Sequence, residues 1–140
     1  MNLQLSIETA AGLATYRKMP KDELEVLLRD PEGRKRVLRT FATSWSSETK
    51  GDPYQFAKTI LPYTVAGGIL ADLHPGALTV YRGYAYADEK GPRSWSPSKS
   101  YAKSHGPKLK TLRLNPSMPA IDLDKIIPSA SGKSMLEVIT

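Results

Sequence analysis

The stretch TVYRGYAY, residues 79–86, decides the fold of the second half of this chain. Aromatic and β-branched residues favour a half-buried pleated strand, and Arg82 and Gly83 interrupt them. A charged side chain is costly to bury in such a strand, so Arg82 should have an anionic partner, and a phosphate ligand fits the guanidinium fork. The alternative is an arginine that points to solvent from the polar face of an edge strand. The strand alone does not decide between the two.

The residues that precede this strand, up to about Leu73, show helical patterns. Pro20 with the acids after it, and the pairs Asp30–Pro31 and Asp52–Pro53, predict helix starts. Pro62 predicts a break or kink, after which a helical pattern continues through Val65, Ile69, Leu70 and Leu73. His74, Pro75 and Gly76 predict the end of the helical part.

The residues after position 86 predict short strands joined by turns. The predicted elements are a connection at 87–92, the start of a strand at 93–98, a short helix capped by Ser96 or Ser98 that ends at Gly106, a strand at 109–114, a strand or short helix at 120–127, a loop at 128–134 and a final strand at 134–140. Asp122 and Asp124 alternate with apolar residues, which predicts solvent-facing strand positions. We therefore predict an α+β fold in a single domain, 1–140, with a helical part at 1–75 packed on a mixed, mainly antiparallel β core at 76–140.

The amino-acid composition excludes several kinds of functional site. The chain has 140 residues, 40% of them hydrophobic, and no cysteine, which excludes disulfides and thiolate metal sites. His74 and His105 are the only histidines, so we expect no metal. The start MNLQLSIETA lacks the regions of a signal peptide, and the best apolar stretch, residues 64–73, is too short to span a bilayer. We expect a cytoplasmic protein without a membrane segment.

The net charge of +6 is unevenly distributed. Seven basic residues and no acid lie between Lys90 and Ile121, namely Lys90, Arg93, Lys99, Lys103, Lys108, Lys110 and Arg113. We call these residues the basic stretch. Such a stretch is typical of a surface that faces nucleic acid, an acidic protein or a phosphate-bearing ligand, and a merely solvated surface is the alternative.

Three groups of residues form an ordered series in the second half. Arg82 lies in a predicted strand, Ser94, Trp95 and Ser96 follow after twelve residues, and Glu137 lies in the final strand. The series resembles the arginine-serine-glutamate class of ADP-ribosyltransferases, which includes mono-ADP-ribosyltransferase toxins and phage enzymes. Tyr81, Arg82 and Gly83 match its aromatic-Arg-Gly strand, Ser94 and Ser96 match its Ser-x-Ser motif, and Glu137 matches the second acid of its Glu-x-Glu or Gln-x-Glu motif. The resemblance covers about residues 77–140.

The resemblance implies that NAD is the substrate and is cleaved between nicotinamide and ribose. It assigns catalysis to Glu137, Arg82 and Ser94, with Glu137 stabilising positive charge on the ribose. The NAD-binding set that it implies is Tyr81, Arg82, Gly83, Ser94, Trp95 and Ser96, with Tyr84 as a further aromatic candidate beside the nicotinamide. Core packing is the alternative role for Trp95. ADP-ribose would pass to a macromolecule, a protein rather than nucleic acid, and the enzyme would act as a monomer, in the host cytoplasm for a phage or toxin effector.

One position departs from the pattern. Two residues before Glu137 the family has glutamine or glutamate, and this chain has Met135. The departure bears on the acceptor, because that residue helps to engage it. Two alternatives therefore stay open: an NAD glycohydrolase, in which water is the acceptor, and an inactive binding module for nucleic acid or an acidic protein.

Overall fold

The computed structural model describes residues 12–46, 52–85, 93–127 and 138–139. The chain divides into two compact units, Met1–Ile60 and Leu61–Thr140. The described helices and the short antiparallel strands make it a mixed α+β protein. The division between the units precedes the predicted end of the helical part at residue 75.

The first unit contains four described helices: α1 (Gly12–Lys18), α2 (Lys21–Arg29), α3 (Pro31–Ser46) and α4 (Asp52–Ile60). Their buried apolar residues recur at helical spacing, as at Leu24 and Leu28 in α2, so each helix buries one stripe. The rings of Phe41 and Phe56 lie 5.8 Å apart between centroids and are both fully buried.

The predicted helix starts are confirmed where side chains are described. The Asp30 carboxylate accepts a hydrogen bond of 3.0 Å from the Gly33 N–H, which places Asp30 at the N-cap of α3. Pro31 is then the first helical residue, where its missing N–H costs nothing. The same pairing of aspartate and proline opens α4, whose first residue is Asp52.

The predicted helical continuation beyond Pro62 is wrong. Residues 61–73 form two 3₁₀ turns, Leu61–Thr64 and Ala71–Leu73, separated by tight turns. Gly67 adopts a left-handed conformation, with φ +80°, that an α-helix excludes, and the Gly68 N–H bonds the Val65 carbonyl at 2.8 Å instead. The apolar spacing therefore reflects buried positions of a compact turn, and Leu70 and Leu73 are buried without an α-helix.

The second unit carries the strands. They are β1 (Leu78–Tyr84), β2 (Ser94–Trp95), β3 (Lys108–Leu114), β4 (Ile121–Asp122) and β5 (Val138–Ile139), with two short helices, α5 (Lys99–Lys103) and α6 (Leu123–Ile126). All pairings of these strands are antiparallel. β1 pairs with β3, and β5 lies between β2 and β4. A bridge between Tyr81 and Ser96 joins the two sheets, with hydrogen bonds of 2.7 and 2.9 Å.

One prediction for the acids of the second unit is wrong. Asp122 is not a solvent-facing strand residue, because its side chain is only 6% exposed. Its carboxylate accepts a hydrogen bond of 3.0 Å from the Asp124 N–H and caps α6. The strand alternation ends at Asp122, since the chain turns into a helix there, and the carboxylate satisfies an amide that the helix leaves unpaired.

A buried threonine connects the start of this unit to the segment before β4. The hydroxyl of Thr64, which is fully buried, donates to the Leu61 carbonyl at 2.6 Å and accepts from the Ala120 N–H at 3.0 Å. Thr64→Val keeps the shape but leaves both backbone groups without this partner. We expect it to lower the free energy of unfolding by about 2 kcal/mol in a urea titration.

The matched control is Thr59→Val, because the Thr59 hydroxyl also donates to a backbone carbonyl, that of Gln55, but is exposed. It should change the stability by less than about 0.5 kcal/mol, as water replaces the lost partner. Equal losses of stability in the two variants would show that the buried Thr64 hydroxyl stabilises the fold no more than an exposed hydroxyl does.

Candidate functional site

The predicted site residues that the structure describes lie on two neighbouring segments of the second unit, β1 and the Ser94–Ser96 segment. Arg82 is in the middle of β1, and its Nη1 donates a hydrogen bond of 3.1 Å to the backbone carbonyl of Ser94 in β2. β2 in turn pairs with β5, where Trp95 lies opposite Val138. The segments that carry the arginine, the serines and the end of the chain are therefore side by side.

Glu137, the third member of the predicted series, lies outside the described residues, and so do Met135 and the predicted loop at 128–134. The chain places Glu137 immediately before Val138. The role of Glu137 stays a prediction.

Alternation along β1 separates the predicted residues onto two faces. Val80, Arg82 and Tyr84 share one face, and Tyr81 and Gly83 share the other. The register with β3 adds Leu112, Lys110 and Lys108 to the face of Arg82, each directly opposite one of the three β1 residues. We call this side the Arg82 face and the opposite side the Gly83 face.

The Gly83 face is covered by α5. A Cβ atom on Gly83 would overlap the carbonyl oxygen of Ala102, and one on Gly106 would overlap the backbone of Tyr84. Both glycines thus permit backbone to approach backbone, which is a common reason for glycine within a strand. Packing against α5 accounts for Gly83, and the ring of Tyr81 on the same face has the Lys99 Nζ 6.0 Å from its centroid. Tyr81 and Gly83 lie on the face opposite that of Arg82. Their contacts with NAD stay predictions.

The serine motif shapes the turn into α5. Ser96 is buried, and its Oγ accepts a hydrogen bond of 3.0 Å from the Ser98 N–H. Ser98 accepts from the Tyr101 N–H at 3.2 Å and is the N-cap of α5, as one of the two predicted alternatives has it. Ser94 contributes its carbonyl to the guanidinium of Arg82. The described geometry thus gives Ser94 a direct contact with Arg82 and gives Ser96 a structural one with its own turn.

Trp95 packs against the buried cluster of Val80, Leu114 and Ala120, which places it beside the Arg82 face. Its indole Nε1 is buried, and no acceptor lies within hydrogen-bond distance among the described residues. A buried donor without an acceptor costs about 1–3 kcal/mol. Trp95 therefore serves the core, as the alternative interpretation of this residue predicts.

Two lysines converge on Tyr84 at the exposed end of the Arg82 face. The Nζ atoms of Lys108 and Lys110 lie 5.9 and 5.5 Å from the centroid of the Tyr84 ring. Both lysines belong to the basic stretch, but grouping them with Arg82 requires the register of β1 and β3. The alternation of KLKTLRL is the signal that would have placed them on one face.

The basic stretch is consequently not one continuous surface. Lys108 and Lys110 are on the Arg82 face, whereas Arg113 lies opposite Thr79 on the Gly83 face. Lys99 and Lys103 belong to α5. The basic stretch is continuous in the sequence, but the strand pairing places its residues on different faces.

No family model, curated protein or solved structure matches this chain. Within the described ranges, no three histidine, aspartate or glutamate side chains come together as a metal-ion site would require. None of the described helices has the length and apolar character needed to cross a membrane.

Proposed function

We propose that this chain is an NAD-dependent mono-ADP-ribosyltransferase whose site is centred on Arg82, Ser94 and Glu137. The observation that carries the proposal is the adjacency of three segments. Arg82 bonds the Ser94 carbonyl, and the strand that directly follows Glu137 pairs with Ser94 and Trp95. Arg82, Ser94 and Val138, the residue that follows Glu137 in the sequence, thus belong to neighbouring strands, which supports a common site.

The reaction places specific demands on these side chains. The bond between the nicotinamide nitrogen and ribose C1′ breaks, and nicotinamide leaves with the electron pair. The acceptor nucleophile then bonds to C1′ and gives its proton to water or a base. Positive charge develops on the ribose in the transition state, and the Glu137 carboxylate would stabilise that charge and bind a ribose hydroxyl.

Arg82 is suited to hold a phosphate of the dinucleotide. Its side chain is half-buried, so an ionic contact is screened less there than on an open surface. The hydrogen bond to Ser94 fixes the orientation of the guanidinium before any ligand arrives. Less conformational freedom is then lost on binding, which favours affinity.

The acceptor in this proposal is a macromolecule, and a protein rather than nucleic acid. Met135 occupies the position where the family has glutamine or glutamate, and its thioether suits an apolar target surface better than a polar acceptor group. A phage or toxin effector that modifies a protein in the host cytoplasm fits these properties. The segment PSASGKSM, residues 128–135, precedes Glu137 and would face that target.

The direct test is a labelling experiment. Purified protein is incubated with NAD that carries a label in the adenosine part and with a host-cell lysate. We expect a discrete labelled band and release of nicotinamide. Release of ADP-ribose without a labelled macromolecule would instead identify an NAD glycohydrolase. Neither product, together with nucleic-acid binding that weakens with salt, would identify the binding module.

Arg82→Lys provides a sharper prediction in the same assay. Lysine keeps the charge but loses the planar fork, so it cannot hold a phosphate and the Ser94 carbonyl in one fixed geometry. We expect kcat/KM for labelling to fall about 100-fold, equivalent to about 2.7 kcal/mol of transition-state stabilisation. Thermal unfolding measured in parallel checks that the fold is retained.

Arg113→Lys is the matched control for this substitution. Arg113 is also an arginine on a paired strand, but it is exposed and lies on the Gly83 face. Its replacement should leave labelling within about twofold of the original protein, since exposed charges contribute little. Similar losses in both variants would remove the special role assigned to Arg82.

A further inference from the structure

We propose that Lys108 and Lys110 bind the diphosphate of the dinucleotide together with Arg82. The identity of the ligand rests on the proposed function, whereas the site itself rests on the register of β1 and β3. The three cationic side chains and Tyr84 are called the Tyr84 cluster. The cluster adds two residues to the site that the resemblance does not supply.

The register places like charges directly opposite each other. Arg82 pairs with Lys110 and Tyr84 pairs with Lys108, all on one face of the two-stranded sheet. Side chains directly across a pair of strands are within contact distance, so the two cationic groups of the Arg82–Lys110 pair lie close together. Two cationic groups at one place suit the charges of a diphosphate.

Tyr84 gathers the two lysines at one place. Both Nζ atoms lie within 6 Å of its ring centroid, at 5.9 and 5.5 Å, which is the range of a cation–π contact. Such a contact restrains two long side chains that would otherwise sample many rotamers. Ligand binding then costs less side-chain entropy. Lys108 and Lys110 are exposed and Arg82 is half-buried. The cluster therefore extends from the solvent to the candidate site.

A diphosphate fits the cluster better than nucleic acid. Single-strand binding requires an aromatic ring open for base stacking and a basic groove that follows the backbone. The Tyr84 ring instead has two ammonium groups beside it. On β1 and β3 the remaining basic residue, Arg113, lies on the Gly83 face, so these two strands carry no continuous basic track. The charges are concentrated at one place, as a compact anion requires.

The test measures binding without catalysis. Isothermal titration gives the Kd of ADP-ribose and of inorganic pyrophosphate for the full chain and for the variants Lys108→Gln, Lys110→Gln and Lys99→Gln. We expect each of the first two to weaken both ligands about tenfold, as loss of a charge-assisted hydrogen bond does. The difference should shrink as the salt concentration rises.

Lys99→Gln is the matched control, because Lys99 also lies over a tyrosine of β1, at 6.0 Å from the centroid of Tyr81, but on the Gly83 face. Its affinity should equal that of the original chain. Three results would overturn the proposal: unchanged affinity in Lys110→Gln, an equal loss in Lys99→Gln, or no binding of either ligand to the original chain. Displacement of ADP-ribose by a single-stranded RNA oligomer that binds more tightly would also overturn it.

The two proposals fail in different ways. Lysine-dependent binding of pyrophosphate without any cleavage of NAD would support the Tyr84 cluster as a diphosphate site and contradict the transferase. Normal labelling in the lysine variants would support the transferase and contradict the cluster.

Discussion

Gly83→Ala is expected to lower the free energy of unfolding of the second unit by about 3 kcal/mol, at the upper end of what overpacking costs. The added methyl group would overlap the carbonyl oxygen of Ala102, a backbone atom that no rotamer change can move aside. Either α5 shifts away from β1 or the strand distorts. A urea titration followed by circular dichroism measures the loss.

The matched control for this substitution is Gly67→Ala. Gly67 has φ +80° and open space around its Cβ position, so alanine there meets only backbone strain. That strain is about 1–2 kcal/mol for an L-residue in the left-handed region. A loss for Gly83→Ala no greater than that for Gly67→Ala would show that the close approach of α5 is not rigid.

The Gly83→Ala substitution should also affect the candidate site at Arg82 and Ser94. α5 is capped by Ser98, which follows directly from the Ser94–Ser96 segment. A displaced α5 would therefore shift the carbonyl of Ser94 and release Arg82 from its hydrogen bond. Gly83→Ala should weaken pyrophosphate binding even under conditions in which the protein remains folded, and titration of the folded variant measures this.

Local chemistry made much of the fold predictable. Aspartate before proline predicts the starts of α3 and α4, and at α3 the Asp30 carboxylate caps the helix while Pro31 needs no partner. The strands β1 and β3 follow from alternation and from β-branched and aromatic residues. The segment at 61–73 was not predictable from apolar spacing, because its path depends on the left-handed Gly67 and on burial of Thr64. The prediction for Asp122 was wrong because an aspartate that caps a helix and an aspartate in a strand look alike in the sequence.

The candidate site, like the fold, could be predicted from the sequence only in part. The order of Arg82, Ser94 and Glu137 suggested that they belong together, and the pairing of β1, β2 and β5 makes their segments neighbours. Alternation along β1 by itself separates Tyr81 and Gly83 from Arg82. The sequence did not predict the convergence of Lys108 and Lys110 on Tyr84, because it depends on the register of β1 and β3, which brings together residues about 25 positions apart.

Glu137→Gln is expected to have the largest effect on activity. Glutamine keeps the shape and the hydrogen-bonding capacity of the side chain but removes its charge. In the proposed reaction that charge faces the developing cation on the ribose, and preorganised electrostatic groups of this kind contribute about 10²–10³ in rate. We expect kcat for labelling to fall about 1000-fold, near the upper end of that range. ADP-ribose binding should change by less than about threefold, because in the proposed complex Arg82 and its neighbours hold the diphosphate.

The split between kcat and binding separates a catalytic role from a structural one. A glutamate that only anchored β5 would, when replaced, lower stability and ligand affinity together, whereas loss of transition-state stabilisation lowers kcat alone. Glu23→Gln is the control, since Glu23 is an exposed acid of α2 and should leave both quantities unchanged. Full labelling by Glu137→Gln would refute the transferase mechanism at its central residue. Retained binding with lost turnover would tie the carboxylate to the chemistry, because the strand after it is paired with the segment whose carbonyl orients Arg82.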